Sequence, residues 1–159
     1  GQSFWTRTVL SGVAAMAVLA VFFGLVLMAP AVQASTGWAE GKFGKTYSFD
    51  YGVYINAGSV YNGVKTVAFW TKGTTYGGKV IDLDGANYVS ISAAGVVSTT
   101  FASPTIYIDG VVGTTIDANW HYVAITTGTA IDASAVKFGS VESASLIGAL
   151  DDVKMYNCA

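Results

Sequence analysis

The residues able to do chemistry are few and lie far apart in the chain. His121 is the only histidine. A Ser-His-Asp relay would have to use it, yet no G-x-S-x-G elbow leads into a helix. A histidine-based zinc site needs a second imidazole at close spacing, and the sequence has none. Strand alternation places His121 on the face of Val123 and Ile125, so it reads as a residue of a sandwich face. Glycoside hydrolysis needs two carboxyl groups about 5–9.5 Å apart across the bond. The only glutamates, Glu40 and Glu142, fall in expected loops, and the neighbours Asp151 and Asp152 should point to opposite faces of a strand. Asp82 and Asp84, two apart on one expected strand face beside Gly85 and Asn87, form an oxygen-rich pair of the kind that holds Ca²⁺. Asp50 and Asp151 are weaker candidates of the same type. Tyr51, Tyr54 and Tyr61 lie in a glycine-rich stretch and are candidate exposed aromatics on which a sugar ring would stack. Cys158 has no partner for an internal disulfide or a cysteine zinc site. Apart from Ca²⁺ no cofactor is indicated, and the chain is expected not to be an enzyme.

The elements that must carry these residues follow from composition. Of 159 residues, 52% are hydrophobic and only 11% charged, with a mean hydropathy of +0.50. A soluble domain carries about 25% charged residues, so this chain is unusually apolar. Eight basic and ten acidic residues leave a net charge of −2, which argues against a nucleic-acid partner. The apolar richness also excludes intrinsic disorder.

The excess is concentrated near the start. Between Arg7 and Glu40 run 32 residues without a formal charge, and from Val9 to Ala31 the only polar side chain is Ser11. A helix of about 20 residues spans the roughly 30 Å of a bilayer's hydrocarbon core. The stretch shows no 3.6-residue stripe, so a helix here is apolar all round and must be covered on every side by lipid or protein. Pro30 marks its expected end. Three uses compete: a secretory signal with Val32-Gln33-Ala34 as a small-x-small cleavage site, a retained membrane anchor, or the core helix of a filament. A start at Gly1 rather than Met is what a processed filament subunit would show. The expected filament-core packing residues are Val9, Gly12, Val13, Met16, Leu19, Phe22, Phe23, Leu25 and Leu27, with Gly12 allowing close helix approach.

From Ser35 onward the texture changes to short β-branched or alternating runs separated by turn residues. Strands are expected at Thr46–Asp50, Lys65–Lys72, Lys79–Leu83, Tyr88–Ser92, Val96–Phe101, Thr105–Ile108, His121–Thr127, Val136–Phe138 and Ala149–Tyr156. Asp109-Gly110 is a hairpin signal, because both residues tolerate positive φ. The expected fold class is α+β: a long N-terminal hydrophobic helix over residues 1–34, then an antiparallel β-sandwich of jelly-roll type over residues 35–159.

Two resemblances sharpen this expectation. The apolar N-terminal stretch ahead of a β-rich head resembles type IV pilin-like filament proteins, although Gly1 and Trp5 stand where bacterial members carry Phe and Glu. The segments Gly41–Asp50, Val67–Lys72, Ile106–Gly110, Trp120–Thr126 and Ile147–Asn157 together resemble laminin-G-like, concanavalin-A-like jelly-roll domains. These resemblances imply a structural subunit of an extracellular, cell-surface filament, membrane-inserted before assembly. Its partners would be identical subunits, the membrane before assembly, and surface glycans. The alternative is a membrane-anchored or secreted carbohydrate-binding, lectin-like module.

Overall fold

A computed structural model describes residues 37–59, 61–142 and 146–159. Along them the chain forms β1 (Gly37–Glu40), β2 (Lys45–Phe49), β3 (Tyr54–Gly58), β4 (Tyr61–Thr75), β5 (Gly78–Asp82) and β6 (Tyr88–Ile91). It continues through β7 (Val97–Thr99), β8 (Thr105–Ile108), β9 (Val111–Val112), β10 (His121–Ala133), β11 (Val136–Val141) and β12 (Ile147–Tyr156). Every pairing is antiparallel. A seven-stranded sheet in the order β1-β2-β12-β4-β10-β8-β9 faces a five-stranded sheet in the order β3-β11-β5-β6-β7. The expected antiparallel sandwich is therefore present.

Period-two alternation explains the layering. Val67 and Phe69 of β4 and Val123 and Ile125 of β10 are fully buried between the sheets, where they meet Ile81, Val89, Ile91 and Val97 from the smaller sheet. Phe49 closes the core at the end of β2 by lying against Gly139, whose φ of +107° and lack of a Cβ leave room for the ring.

The described residues contain no helix, so what the structure shows is all-β rather than α+β. The helix expected over residues 1–34 lies outside the described residues. So do the expected filament-core residues Val9, Gly12, Val13, Met16, Leu19, Phe22, Phe23, Leu25 and Leu27. Three strands, β1, β3 and β9, appear where none was expected. All are outermost in their sheets, and β3 and β9 expose most or all of their residues. The central strands run past their expected ends, β4 to 15 residues and β10 to 13, because bulges let both continue.

Candidate functional site

The most concentrated polar chemistry among the described residues gathers around His121. The residue opens β10 on the core-facing side of the strand and is mostly buried. Its Nδ1 lies 2.7 Å from Asp109 Oδ2 and its Nε2 lies 2.9 Å from Asp117 Oδ1. Asp109 and Gly110 form the two-residue β8–β9 turn with φ of 53° and 84°, the left-handed pair that the hairpin signal demands. That turn sets the exposed Asp109 beside the start of β10, and its Oδ1 accepts the Tyr122 backbone N–H at 2.8 Å. Asp117 sits in the loop before β10. Its Oδ1 also accepts the Asn119 N–H at 2.7 Å, and its Oδ2 accepts Asn119 Nδ2 at 3.1 Å.

The electrostatics follow from these contacts. The Tyr122 N–H holds the Asp109 carboxyl below its ordinary range against the opposing effect of burial, with His121 adding to the shift. Asp117 is likewise lowered, first by the Asn119 N–H and then by His121. Burial alone would push His121 down, but hydrogen bonds and charge from both carboxylates outweigh it, and its pKa is raised. Both ring nitrogens are thereby engaged. His121 is on the expected face, but its two carboxylate partners were not foreseen.

Asp82 and Asp84 do not share a strand face. Strand β5 ends at Asp82, which is fully buried, and Asp84 lies in the bend that follows. Asp82 Oδ1 accepts the N–H groups of Asp84 (3.2 Å) and Gly85 (2.6 Å), and so turns the chain. Asp84 Oδ1 accepts from Ala86 N–H (2.9 Å) and Asn87 N–H (2.6 Å), and its Oδ2 from Asn87 Nδ2 (2.8 Å). Burial raises the Asp84 pKa, but these donors prevail and it is lowered. The one oxygen left, Asp82 Oδ2, faces Lys79 Nζ at 3.7 Å, and Lys79 also bonds Glu142 Oε2 at 2.6 Å. Among the described residues no three His, Cys, Asp or Glu side chains come together as metal ligands. The two weaker candidates also bind backbone. Asp50 Oδ1 accepts the Tyr51 N–H at 2.7 Å, and Asp151 Oδ2 accepts Lys42 N–H (2.7 Å) and Phe43 N–H (3.0 Å), fastening the β1–β2 turn to β12.

The tyrosines expected at the surface are there: Tyr51 is 63% exposed, Tyr54 46% and Tyr61 39%. They occupy separate stations. Tyr51 follows β2, Tyr54 opens β3 beneath Lys137, and Tyr61 opens β4, where it lines a shallow apolar groove with Phe138, Val153 and Met155. A second aromatic set went unforeseen. On the outer face of the larger sheet Phe43 meets Trp70 edge-on at 5.7 Å, and Trp70 meets Tyr122 at 5.4 Å. Lys42 Nζ stands 4.6 Å from the Trp70 ring centroid. Alternation with the buried Phe69 and Val123 already places Trp70 and Tyr122 on that face; only the fold of the β1–β2 turn brings Phe43 and Lys42 over them.

Compared with models of known protein families, with curated proteins and with solved structures, the chain matches none. The identification as a type IV pilin-like subunit carrying a laminin-G-like or concanavalin-A-like head is therefore corrected: no family model supports it, and the described residues are entirely antiparallel β. The physical reason lies in the segments that carried the likeness. Ile106–Gly110 is a strand with a two-residue left-handed turn, Val67–Lys72 and Trp120–Thr126 are alternating central strands, and Ile147–Asn157 is the strand that joins β2 to β4. Such segments answer to the general requirements of antiparallel pairing, so together they specify a sandwich without specifying a lineage.

Proposed function

We propose that this chain is a structural subunit of an extracellular filament, with apolar N-terminal segments gathered in the interior and β-sandwiches displayed outside. The observation that carries this reading is the uncharged run between Arg7 and Glu40, set beside a sandwich that builds a core of its own from Phe49 to Leu150. A 23-residue stretch with Ser11 as its only polar side chain needs cover from lipid or from its own kind. Read as a helix over residues 1–34 ahead of a jelly-roll sandwich, it is stored in the membrane and then passes into the filament. The eleven Val, Leu and Phe side chains from Val9 to Leu27 favour insertion by about 3–7 kcal/mol, at about 0.3–0.6 each. Exchange of lipid contacts for helix contacts is close to neutral in hydrophobic energy, so packing of small residues such as Gly12 and Gly24 decides it.

Met16→Arg tests the reading, since a centrally placed Arg costs about 2.5–3.5 kcal/mol on insertion. Negative-stain microscopy of wild-type cell-surface material should show fibres. The variant should show none while keeping the β-type circular dichroism of the sandwich. Normal fibres from Met16→Arg would overturn the core assignment.

A second reading, a membrane-anchored or secreted carbohydrate-binding module, is favoured by the exposure of Tyr51, Tyr54 and Tyr61 together with Phe43 at 61%. Sugar rings stack on such aromatics. Binding on a glycan array that is lost in Tyr54→Ala or Tyr61→Ala, without fibres at the cell surface, would select it.

A further inference from the structure

We propose that His121 is a proton-operated latch between the two sheets at one end of the sandwich. With both ring nitrogens protonated it ties the β8–β9 turn to the loop before β10; on losing one proton it keeps Asp109 and releases the Asp117 carboxylate. An imidazolium donates from both nitrogens, whereas a neutral imidazole has one donor and one acceptor. Each nitrogen faces a carboxylate oxygen, at 2.7 Å and 2.9 Å, and only the doubly protonated ring satisfies both.

The two sides are not equivalent. Asp109 is fixed by its turn and by the Tyr122 N–H, so Nδ1–H keeps its acceptor in either state. At Nε2 a second arrangement stands ready: the Asp117 backbone N–H lies 3.3 Å from the same nitrogen. A neutral Nε2 accepts from that N–H, a longer bond between uncharged groups that holds the loop less firmly than the charge-assisted one, and the Asp117 side chain remains with Asn119. The proton leaves to solvent.

The charged groups facing His121 are these two carboxylates, the uncharged Thr71 stands opposite it on β4, and the phenol of Tyr76, from the β4–β5 connection, lies near Thr71 and Asp117. Tyr76 is buried with its pKa raised, chiefly by burial, so it stays neutral through the range in which His121 titrates.

What the latch controls follows from the loop. Its Thr114 carbonyl accepts the Val97 N–H at 2.7 Å, and the N–H of buried Ile116 bonds Gly95 O at 2.9 Å. Both contacts belong to the smaller sheet's side, whereas Asp109 and His121 belong to the larger. The protonated ring therefore steadies, from the larger sheet, the loop whose backbone is bonded to the smaller one.

The test uses the full chain in detergent, labelled at its single histidine, so the ring signals need no assignment. The wild-type ring should titrate above the ordinary value of about 6.5, with Nδ1 remaining the protonated nitrogen of the neutral form. Amide-exchange protection of Ile116 should fall several-fold as pH rises through that midpoint. Asp117→Asn should lower the midpoint, keep the tautomer and leave Ile116 protection low and flat with pH. Asp109→Asn should lower the midpoint further. A wild-type midpoint at or below 6.5, or Ile116 protection that ignores it, overturns the latch even if neither variant folds.

Discussion

Two acidic corners, one on each sheet, use their carboxylates in opposite ways. At the β5–β6 corner Asp82 and Asp84 accept four backbone N–H groups between them, and the side chains shape the bend they sit in. At the β8–β9 corner the turn is made by left-handed backbone at Asp109 and Gly110, which leaves one carboxylate oxygen of Asp109 free to reach across to His121. Both corners contain an Asp-Gly pair, at Asp84-Gly85 and Asp109-Gly110. The difference teaches that a carboxylate becomes available for titratable chemistry where the backbone turns without its help. Where the side chain is itself the turn, its oxygens are already committed.

The largest expected effect comes from breaking the first corner. Asp82→Ala removes the acceptor of two N–H groups at a fully buried position and leaves Lys79 without its inward partner. A loss of about 2–4 kcal/mol is expected, from the cost of orphaned buried donors. Urea denaturation at pH 7 should show a lowered midpoint with an unchanged m-value. A loss below about 0.5 kcal/mol would mean that the bend holds itself and that the two corners are alike.

The second corner should yield a smaller, pH-dependent effect. The folded pKa of His121 is raised, so its contribution is complete below the unfolded value of about 6.5 and is lost as pH rises through the folded value. Asp109 and Asp117 are lowered, so their part is present above about 4 and is lost as pH falls through their folded values. The stability difference between wild type and His121→Gln should therefore be greatest between about pH 4 and 6.5 and shrink on either side. Its size at the maximum is expected to be about 1 kcal/mol, since both aspartates are well exposed to solvent. Denaturation at pH 5.5 and pH 9 checks the sign: a difference that grows toward pH 9 contradicts the assignment.

How far the sequence carried this picture depends on burial. Strands β4 and β10 are readable because the large apolar Val67, Phe69, Val123 and Ile125 recur at every second position and so announce an inner face. Strand β3, with four of its five residues exposed, has no such face, and nothing in Tyr54–Gly58 separates it from a loop. Asp109-Gly110 was readable because few residue pairs accept its backbone. Its meeting with His121 and Asp117 was not, since that depends on a loop tethered through Ile116 to the other sheet. The pair Asp82 and Asp84 was misplaced for a different reason: carboxylates beside glycine serve equally as ion ligands and as caps of a bend, and only the positions of the N–H groups distinguish the two.

That ambiguity gives the smallest expected effect. Calcium needs six to eight oxygen ligands. At the β5–β6 corner Asp84 has both oxygens engaged, and Asp82 offers Oδ2 alone, already faced by the Lys79 ammonium at 3.7 Å. An entering ion would have to displace N–H donors that hold the bend, and to do so against a fixed positive charge. Millimolar Ca²⁺ is therefore expected to move the unfolding free energy by less than about 0.3 kcal/mol, because a ligand present well below its Kd adds little to stability. Thermal melts with Ca²⁺ and with chelator should superimpose. A Ca²⁺-dependent rise in Tm that Asp82→Asn abolishes would show that these oxygens exchange their donors for an ion, and that the corner is a site after all.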